Sequence, residues 1–134
     1  MGAGAIPLQV EKDFLGKARG RYKLNVYIAD FSYNGDDRVD VSASGGYFIF
    51  VPPKPLFFDY RLGKKNEHEF KKAYAAFLKE SYCVNQYAWD SALSGGRIVL
   101  VCSCNAEDKS CHRYTIIDFL KKLGGVYKGK LKPR

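Results

Sequence analysis

The fold of this chain is decided by the stretch RIVLVCSC at residues 97–104 and by the segment that follows it. Ile98 to Val101 form a continuous run of β-favouring apolar residues, which is typical of a strand buried on both faces of a parallel sheet. A polar loop follows, and then apolar residues recur at helical spacing until Gly124-Gly125 ends the pattern. The adjacent Val126-Tyr127 indicates a last short strand. A strand, a helix and a further strand form a right-handed crossover unit, and its ligand would lie beyond the carboxyl end of the first strand.

Three further strands are predicted upstream of this unit. Leu24 to Asp30 is rich in strand-forming residues, and Arg38 to Ser42 alternates apolar with polar side chains. Tyr47 to Val51 is a short apolar run that ends at Pro52-Pro53, so it also predicts a strand.

Helices are predicted between these strands and the crossover unit. Pro55 is placed to begin a short helix through Leu62. Asn66 with Glu69 has the form of a capping box, and it predicts a helix over about 67–82. A second helix is predicted over about 86–93. The expected fold is a small single α/β domain with a central, mostly parallel sheet of about four to five strands, flanked by helices in three layers.

Length and charge divide the chain into a body and two basic ends. The 134 residues are 46% hydrophobic, enough for one compact domain with a core, and disorder is excluded. Of the net charge of +8, residues 1–23 carry +3 and residues 126–134 carry +4. We therefore expect a basic, loosely ordered N-terminal arm over 1–23, an α/β domain over 24–129 and a basic tail over 130–134. Nucleic acid is one expected partner of the ends, through Lys17, Arg19, Arg21, Lys23, Lys128, Lys130 and Lys132.

The sequence predicts a cytoplasmic protein, in the host cytoplasm if the source is a virus. No stretch approaches the roughly 20 apolar residues of a membrane span. The four cysteines are few and unevenly spaced, unlike a secreted disulfide framework. The oligomeric state is left open.

The triplet Cys111-His112-Arg113 is the candidate catalytic site. Ser110 is a good N-cap, which would place the triplet in the first turn of the last helix, where unpaired N–H groups favour an anion. There the helix field would stabilise a Cys111 thiolate as nucleophile, with His112 as proton carrier. Ser110 and Arg113 would bind a small anionic ligand that carries phosphate or carboxylate.

Each of these residues also has a purely structural interpretation. Cys111 can be a buried residue at a helix start, and His112 a surface imidazole bonded to a loop. Arg113 can pair with one of the carboxylates of Asp30, Asp36, Asp37 and Asp40, and Asp40, between Val39 and Val41, is placed for this.

Cys102 and Cys104 leave two further alternatives open. Two apart on a strand, they point to the same face and can supply a resolving thiol for Cys111. Alternatively, Cys102, Cys104, Cys111 and His112 can bind zinc, although their spacing departs from paired Cys-x-x-Cys ribbons. No cofactor is therefore predicted, and zinc remains the weaker alternative.

Several segments, in this order, resemble one branch of a known family: Asp40-Val41-Ser42, Phe48 to Pro53, Tyr60 to Gly63, the tyrosine-rich 70–82 segment, Trp89, Val101 to Cys104, Cys111-His112-Arg113 and Gly125 to Gly129. They resemble the domain-of-unknown-function family 488, found in bacteria, archaea and their viruses, over about residues 24–129. The resemblance implies a small three-layer α/β fold and marks Cys102, Cys111, His112 and Arg113 as the site. Many relatives carry Glu in place of Cys104, which argues against a metal site that depends on Cys104.

Three functions follow as hypotheses. The first is a thiol-dependent enzyme acting on a phosphate- or carboxylate-bearing substrate. The second is a non-catalytic nucleic-acid-binding or regulatory module that uses the basic ends. The third is a structural or assembly protein whose site is a vestige.

Overall fold

A parallel sheet with helices forms the body of the protein. The computed structural model describes residues 19–43, 45–103 and 111–131. The strands are β1 (Leu24–Ala29), β2 (Arg38–Asp40), β3 (Arg97–Val101) and β4 (Gly125–Lys130), in the spatial order β2-β3-β1-β4. The helices are α1 (Lys54–Arg61), α2 (Glu67–Val84), α3 (Gln86–Leu93) and α4 (Arg113–Lys122). All strand pairs are parallel, so the predicted α/β class is confirmed.

Helix α2 begins where its capping box predicts. The Asn66 side chain accepts a hydrogen bond from the Glu69 backbone N–H at 2.8 Å, and the Glu69 carboxylate accepts from the Asn66 N–H at 2.9 Å. These two bonds satisfy N–H groups that a helix start otherwise leaves unpaired. The helix buries Phe70, Tyr74 and Leu78, four residues apart, along one face.

The core lies mainly between the sheet and the helices. Its largest cluster joins Val26, Ile28, Ile98 and Leu100 of the central strands to buried side chains of α2, α3 and α4. A second cluster consists of Ala29, Val99 and Val101 with the partly buried Tyr27, Tyr33 and Leu131. Strand β3 is therefore buried on both faces, as its continuous apolar run predicts. In the described ranges, strand and connecting residues rather than helical ones form this second cluster.

The predicted strand over Tyr47 to Val51 is wrong, because these residues form turns. The chain reverses directly after β2: the Gly46 N–H bonds to the Ser42 carbonyl, and the Tyr47 N–H bonds to the Asp40 carbonyl at 2.7 Å. A Cβ at Gly46 would lie 2.7 Å from the Asp40 oxygen, so the reversal needs glycine. Phe50 then bonds back to Tyr47, and Ile49 and Phe50 are buried side by side. A strand would have pointed these two side chains to opposite faces.

The backbone before β1 lies along the end of α4. The N–H groups of Gly20 and Tyr22 donate to the carbonyls of Lys122 and Leu123 at 2.9 and 2.8 Å. The Tyr22 hydroxyl donates to the Asp90 carboxylate, and Arg21 pairs with Asp90 at 3.5 Å. These residues belong to the expected N-terminal arm, and the division into arm, domain and tail otherwise stays a prediction.

Candidate functional site

The candidate site lies at the carboxyl ends of three neighbouring strands. Ala29 ends β1, Val101 ends β3, and the two are paired in register. Asp40 at the end of β2 also pairs with Val101, so the residues that follow these strands meet at one edge. Helix α4 begins there with Arg113. Ligands of open parallel sheets bind at this edge, as the crossover unit predicts.

The start of α4 differs from the prediction. The helix begins at Arg113, and His112 is its N-cap residue, with helical backbone angles and no capping side-chain bond. Cys111 therefore precedes the helix, and its carbonyl accepts the Tyr114 N–H at 3.1 Å. Ser110, the expected N-cap and anion-binding residue, lies outside the described residues. The first-turn position expected for Cys111 and His112 is therefore wrong.

The side chain of Arg113 places a positive charge next to Cys111. Its side chain is fully buried, its Nε–H donates to Cys111 Sγ at 3.3 Å, and a terminal N–H donates to the Ala29 carbonyl oxygen at 3.2 Å. A guanidinium does not lose its proton in a protein, so burial does not neutralise it. A positive charge held against a sulfur atom favours the thiolate form of that sulfur.

His112 is buried and bonded to the backbone. Its Nε2 contacts the Val41 carbonyl oxygen, which can only accept a hydrogen bond. Nε2 therefore carries a hydrogen, and in the neutral ring Nδ1 is left as the acceptor. The side chain is 7% exposed, so the expected surface position is wrong, whereas the expected bond to a loop is present at Val41.

Three potential metal ligands meet at this point. The Sγ atoms of Cys102 and Cys111 and one ring nitrogen of His112 lie within 4.8 Å of one another, and all three residues are buried. Cys104, the fourth member of the predicted zinc set, lies outside the described residues. The strand end and the helix start thus bring together three of the four predicted residues.

Tyr74 belongs to the surroundings of the site, and the sequence indicated only that it is an apolar position of α2. Its ring lies 5.8 Å from the His112 ring, centroid to centroid, and its hydroxyl donates to the Phe50 carbonyl oxygen. Burial raises the pKa of Tyr74 well above its usual value, and the charges of Cys111 and Cys102 raise it further. A tyrosine among the phenylalanines of a buried helical face is the signal that could have found it, since a buried hydroxyl needs a partner.

Asp40 and Ser42 fix the loop that carries Val41. The Asp40 carboxylate accepts the Ser42 N–H at 2.8 Å, and the Ser42 hydroxyl accepts the Ser103 N–H at 3.0 Å. These bonds tie the end of β2 to the end of β3 beside Cys102. The expected pairing of Asp40 with Arg113 stays a prediction.

A family model described as the active DUF488-N3 subclade matches residues 49–124, more than half of the chain. The chain belongs to the DUF488-N3a family. The matched range contains Tyr74, Cys102, Cys111, His112 and Arg113. No curated protein and no solved structure shows a significant match.

The basic residues considered for nucleic-acid contact belong to the two ends of this DUF488-N3a chain. Lys128 and Lys130 are part of β4, and Lys130 pairs with Asp30 at 3.3 Å. Lys17 and Lys132 lie outside the described residues, whereas Arg19, Arg21 and Lys23 lie just before β1. Nucleic-acid binding by these residues stays a prediction. Among the helices of the described ranges, no candidate membrane span was found.

Proposed function

We propose that this DUF488-N3a protein is a thiol-dependent enzyme in which Cys111 reacts as a thiolate. The observation that carries the proposal is the 3.3 Å contact between Arg113 Nε and Cys111 Sγ, made by a fully buried guanidinium. A desolvated cation is stable only next to compensating negative charge or dipoles, and the sulfur provides the former when it is ionised. The description of the matching subclade as active supports an enzymatic function.

The neighbouring groups have complementary roles in this proposal. His112 moves the proton through Nδ1, since its Nε2 is bonded to the Val41 carbonyl. Cys102 is the resolving thiol, because its sulfur lies within 4.8 Å of Cys111 Sγ. An oxidant such as hydrogen peroxide would convert the Cys111 thiolate to a sulfenic acid. Attack by the Cys102 thiol would then form the disulfide and release water.

The reacting molecule has to be small. Cys111 and His112 are only 6% and 7% exposed, and Arg113 is not exposed at all. A phosphate- or carboxylate-bearing substrate would therefore contact Arg113 only by entering beside the two sulfurs. In this proposal Arg113 binds the anionic group of that substrate.

Peptide-resolved alkylation with iodoacetamide across pH tests this function. We expect the Cys111 thiol to titrate below the usual value of about 8.5. Cys83, a half-buried cysteine of α2, serves as the reference in the same sample. Arg113→Met should raise the pKa of Cys111 and leave the labelling of Cys83 unchanged, whereas Arg113→Lys keeps a charge and should raise it less. A Cys111 pKa at or above 8.5 in the wild-type protein would contradict the proposal.

Metal binding by Cys102, Cys111 and His112 is a second candidate function. The two Sγ atoms and one ring nitrogen of His112 lie within 4.8 Å of one another. Zinc prefers sulfur and nitrogen ligands of this kind, so the arrangement favours metal binding. The Arg113 guanidinium on Cys111 Sγ opposes it, since a second cation at this sulfur is repelled. Cys102, Cys111 and His112 would hold the zinc, which would supply Lewis-acid chemistry.

Titration with Co²⁺ separates the two candidates. A metal centre predicts stoichiometric binding with thiolate-to-cobalt absorption, lost in Cys102→Ser and His112→Gln, together with protection of Cys111 from iodoacetamide. The thiol proposal predicts no such band and unchanged alkylation in the presence of a chelator.

A further inference from the structure

The hydrogen-bond ladder between β2 and β3 continues beyond the ends of both strands with one exchanged partner. The Val99 N–H donates to the Asp37 carbonyl at 2.9 Å. The Val41 N–H donates to the Val101 carbonyl, also at 2.9 Å. Bonds of a parallel pair are evenly spaced and recur every two residues along each strand. The next bond of this series would therefore join the Ser103 N–H to the Val41 carbonyl.

The hydroxyl of Ser42 takes the place of that carbonyl. The Ser103 N–H donates to Ser42 Oγ at 3.0 Å. The Val41 carbonyl accepts a hydrogen bond from His112 Nε2 instead. The backbone N–H of Ser42 donates to the Asp40 carboxylate at 2.8 Å, which holds the residue in place. The side chain thus supplies the acceptor that a continued strand would have supplied from its backbone.

Cys102 lies between two peptide groups that this arrangement holds. The carbonyl before it accepts the Val41 N–H, and the N–H after it donates to Ser42 Oγ. Two fixed peptide groups set the φ and ψ angles of the residue between them, so the Cys102 sulfur can move only through χ1. In this position it lies within 4.8 Å of Cys111 Sγ.

We propose that Ser42 is a positioning residue of the thiol site. Its hydroxyl replaces the Val41 carbonyl in the ladder, which leaves that carbonyl to hold His112. The same bond keeps Cys102 in reach of Cys111. Ser42 is only 2% exposed, and a buried hydroxyl costs free energy unless it is hydrogen-bonded. The effect on disulfide formation rests on the proposed thiol chemistry, whereas the placement of the His112 ring does not.

The tautomer of His112 in ¹⁵N NMR spectra tests the placement of the ring. At pH about 8, where a histidine ring is ordinarily neutral, the wild-type ring should carry its hydrogen on Nε2. Ser42→Ala leaves the Ser103 N–H to compete for the Val41 carbonyl, so we expect the population with its hydrogen on Nδ1 to rise. His68, the other histidine of the chain and exposed on α2, should be unchanged in the same spectra.

Disulfide formation after addition of hydrogen peroxide tests the placement of Cys102. Ser42→Ala should slow formation of the disulfide between Cys102 and Cys111 about tenfold, because a small misplacement of reacting groups costs rate. The Cys111 sulfenic acid should then persist longer, which dimedone trapping and mass spectrometry measure. The alkylation of Cys111 across pH should stay as in the wild type, since its contact with Arg113 is kept.

Ser81→Ala is the matched control for the loss of a buried serine hydroxyl. Ser81 is 3% exposed, and its hydroxyl donates to the Ile49 carbonyl at 2.9 Å, about two turns of α2 beyond Tyr74. Its loss should lower stability and leave the His112 tautomer and the disulfide rate unchanged. Ser42→Thr keeps the hydroxyl and should behave as the wild type does.

The outcomes separate this inference from the proposed function. Hydrogen on Nδ1 of His112 in the wild type would overturn the role of Ser42. A wild-type tautomer and disulfide rate in Ser42→Ala, equal effects of Ser81→Ala, or the same losses in Ser42→Thr would also overturn it. An ordinary Cys111 thiol in the wild type would overturn the proposed function instead and leave the tautomer result standing.

Discussion

At the scale of single residues, the site depends on polar atoms that are buried and bonded to specific partners. Arg113 reaches from the first turn of α4 to a carbonyl of β1 and to the sulfur of Cys111. His112 bonds to the carbonyl of Val41, and Tyr74 to that of Phe50. The three backbone carbonyls belong to the end of β1, to the residue after β2 and to the turn at Phe50, so these side chains tie separate parts of the backbone to the site.

Tyr74 gives the residue-scale prediction. Tyr74→Phe removes the donor from a buried carbonyl oxygen, and we expect the free energy of unfolding to fall by about 1–3 kcal/mol. Tyr87, 88% exposed on α3, is the matched control, because a side chain this exposed leaves its hydroxyl open to water in the folded and unfolded states alike. Urea unfolding at pH 7 measures both variants, and an equal loss in Tyr87→Phe would contradict the assignment.

At the scale of elements, the junction between the 20–22 segment and α4 depends on one glycine. Gly124 has φ of +110°, and a Cβ built there would lie 2.0 Å from the Tyr22 carbonyl oxygen. The adjacent Leu123 carbonyl accepts the Tyr22 N–H. The end of α4, the segment before β1 and the start of β4 therefore share one close contact.

Gly124→Ala should lower the free energy of unfolding by about 2 kcal/mol or more, since it adds both backbone strain and a clash. Gly95→Ala is the control: a Cβ there meets nothing within 4 Å, and its φ is not positive. It should leave stability unchanged or slightly raised, because alanine restricts the unfolded chain. Urea unfolding measures both, and limited trypsin digestion after Arg21 should be faster in Gly124→Ala alone. Similar stability of the two variants would show that the close approach is not required.

At the scale of the whole molecule, tyrosine hydroxyls link stability to alkaline pH. Burial raises the pKa values of Tyr22 and Tyr127. It raises the pKa of the fully buried Tyr74 well above its usual value. Tyrosine hydroxyls in the unfolded chain lose their protons near pH 10. In the folded protein Tyr22, Tyr74 and Tyr127 keep their hydroxyl protons above that pH. Stability is therefore unaffected by these groups below pH 10 and falls as the pH rises above it.

The free energy of unfolding should fall above pH 10 by up to about 1.4 kcal/mol per pH unit from Tyr74 alone. Tyr22 and Tyr127 are half-buried and should contribute less, since water screens their charged forms. Urea unfolding at a series of pH values from 8 to about 11 tests this, with Tyr74→Phe expected to give a shallower decline. An identical slope in both proteins would contradict a raised Tyr74 pKa.

Local patterns in the sequence predict the separate elements well. The capping box at Asn66 and the apolar run of β3 depend on interactions between near neighbours in the chain, so their physics is visible in a short window. The local pattern at Tyr47 to Val51 gives a wrong prediction. This strand-like run forms turns because Gly46 lets the chain fold back onto Asp40.

By itself, the sequence determined the α/β class, the parallel crossover and the edge of the sheet at which Cys111, His112 and Arg113 lie. Only the tertiary structure decided what these residues touch. It placed Arg113 on Cys111 and Ala29, His112 on Val41 and the Tyr74 ring against the His112 ring. The physical reason is separation along the chain: Arg113 and Ala29 are 84 residues apart, and packing of the whole sheet brings them together.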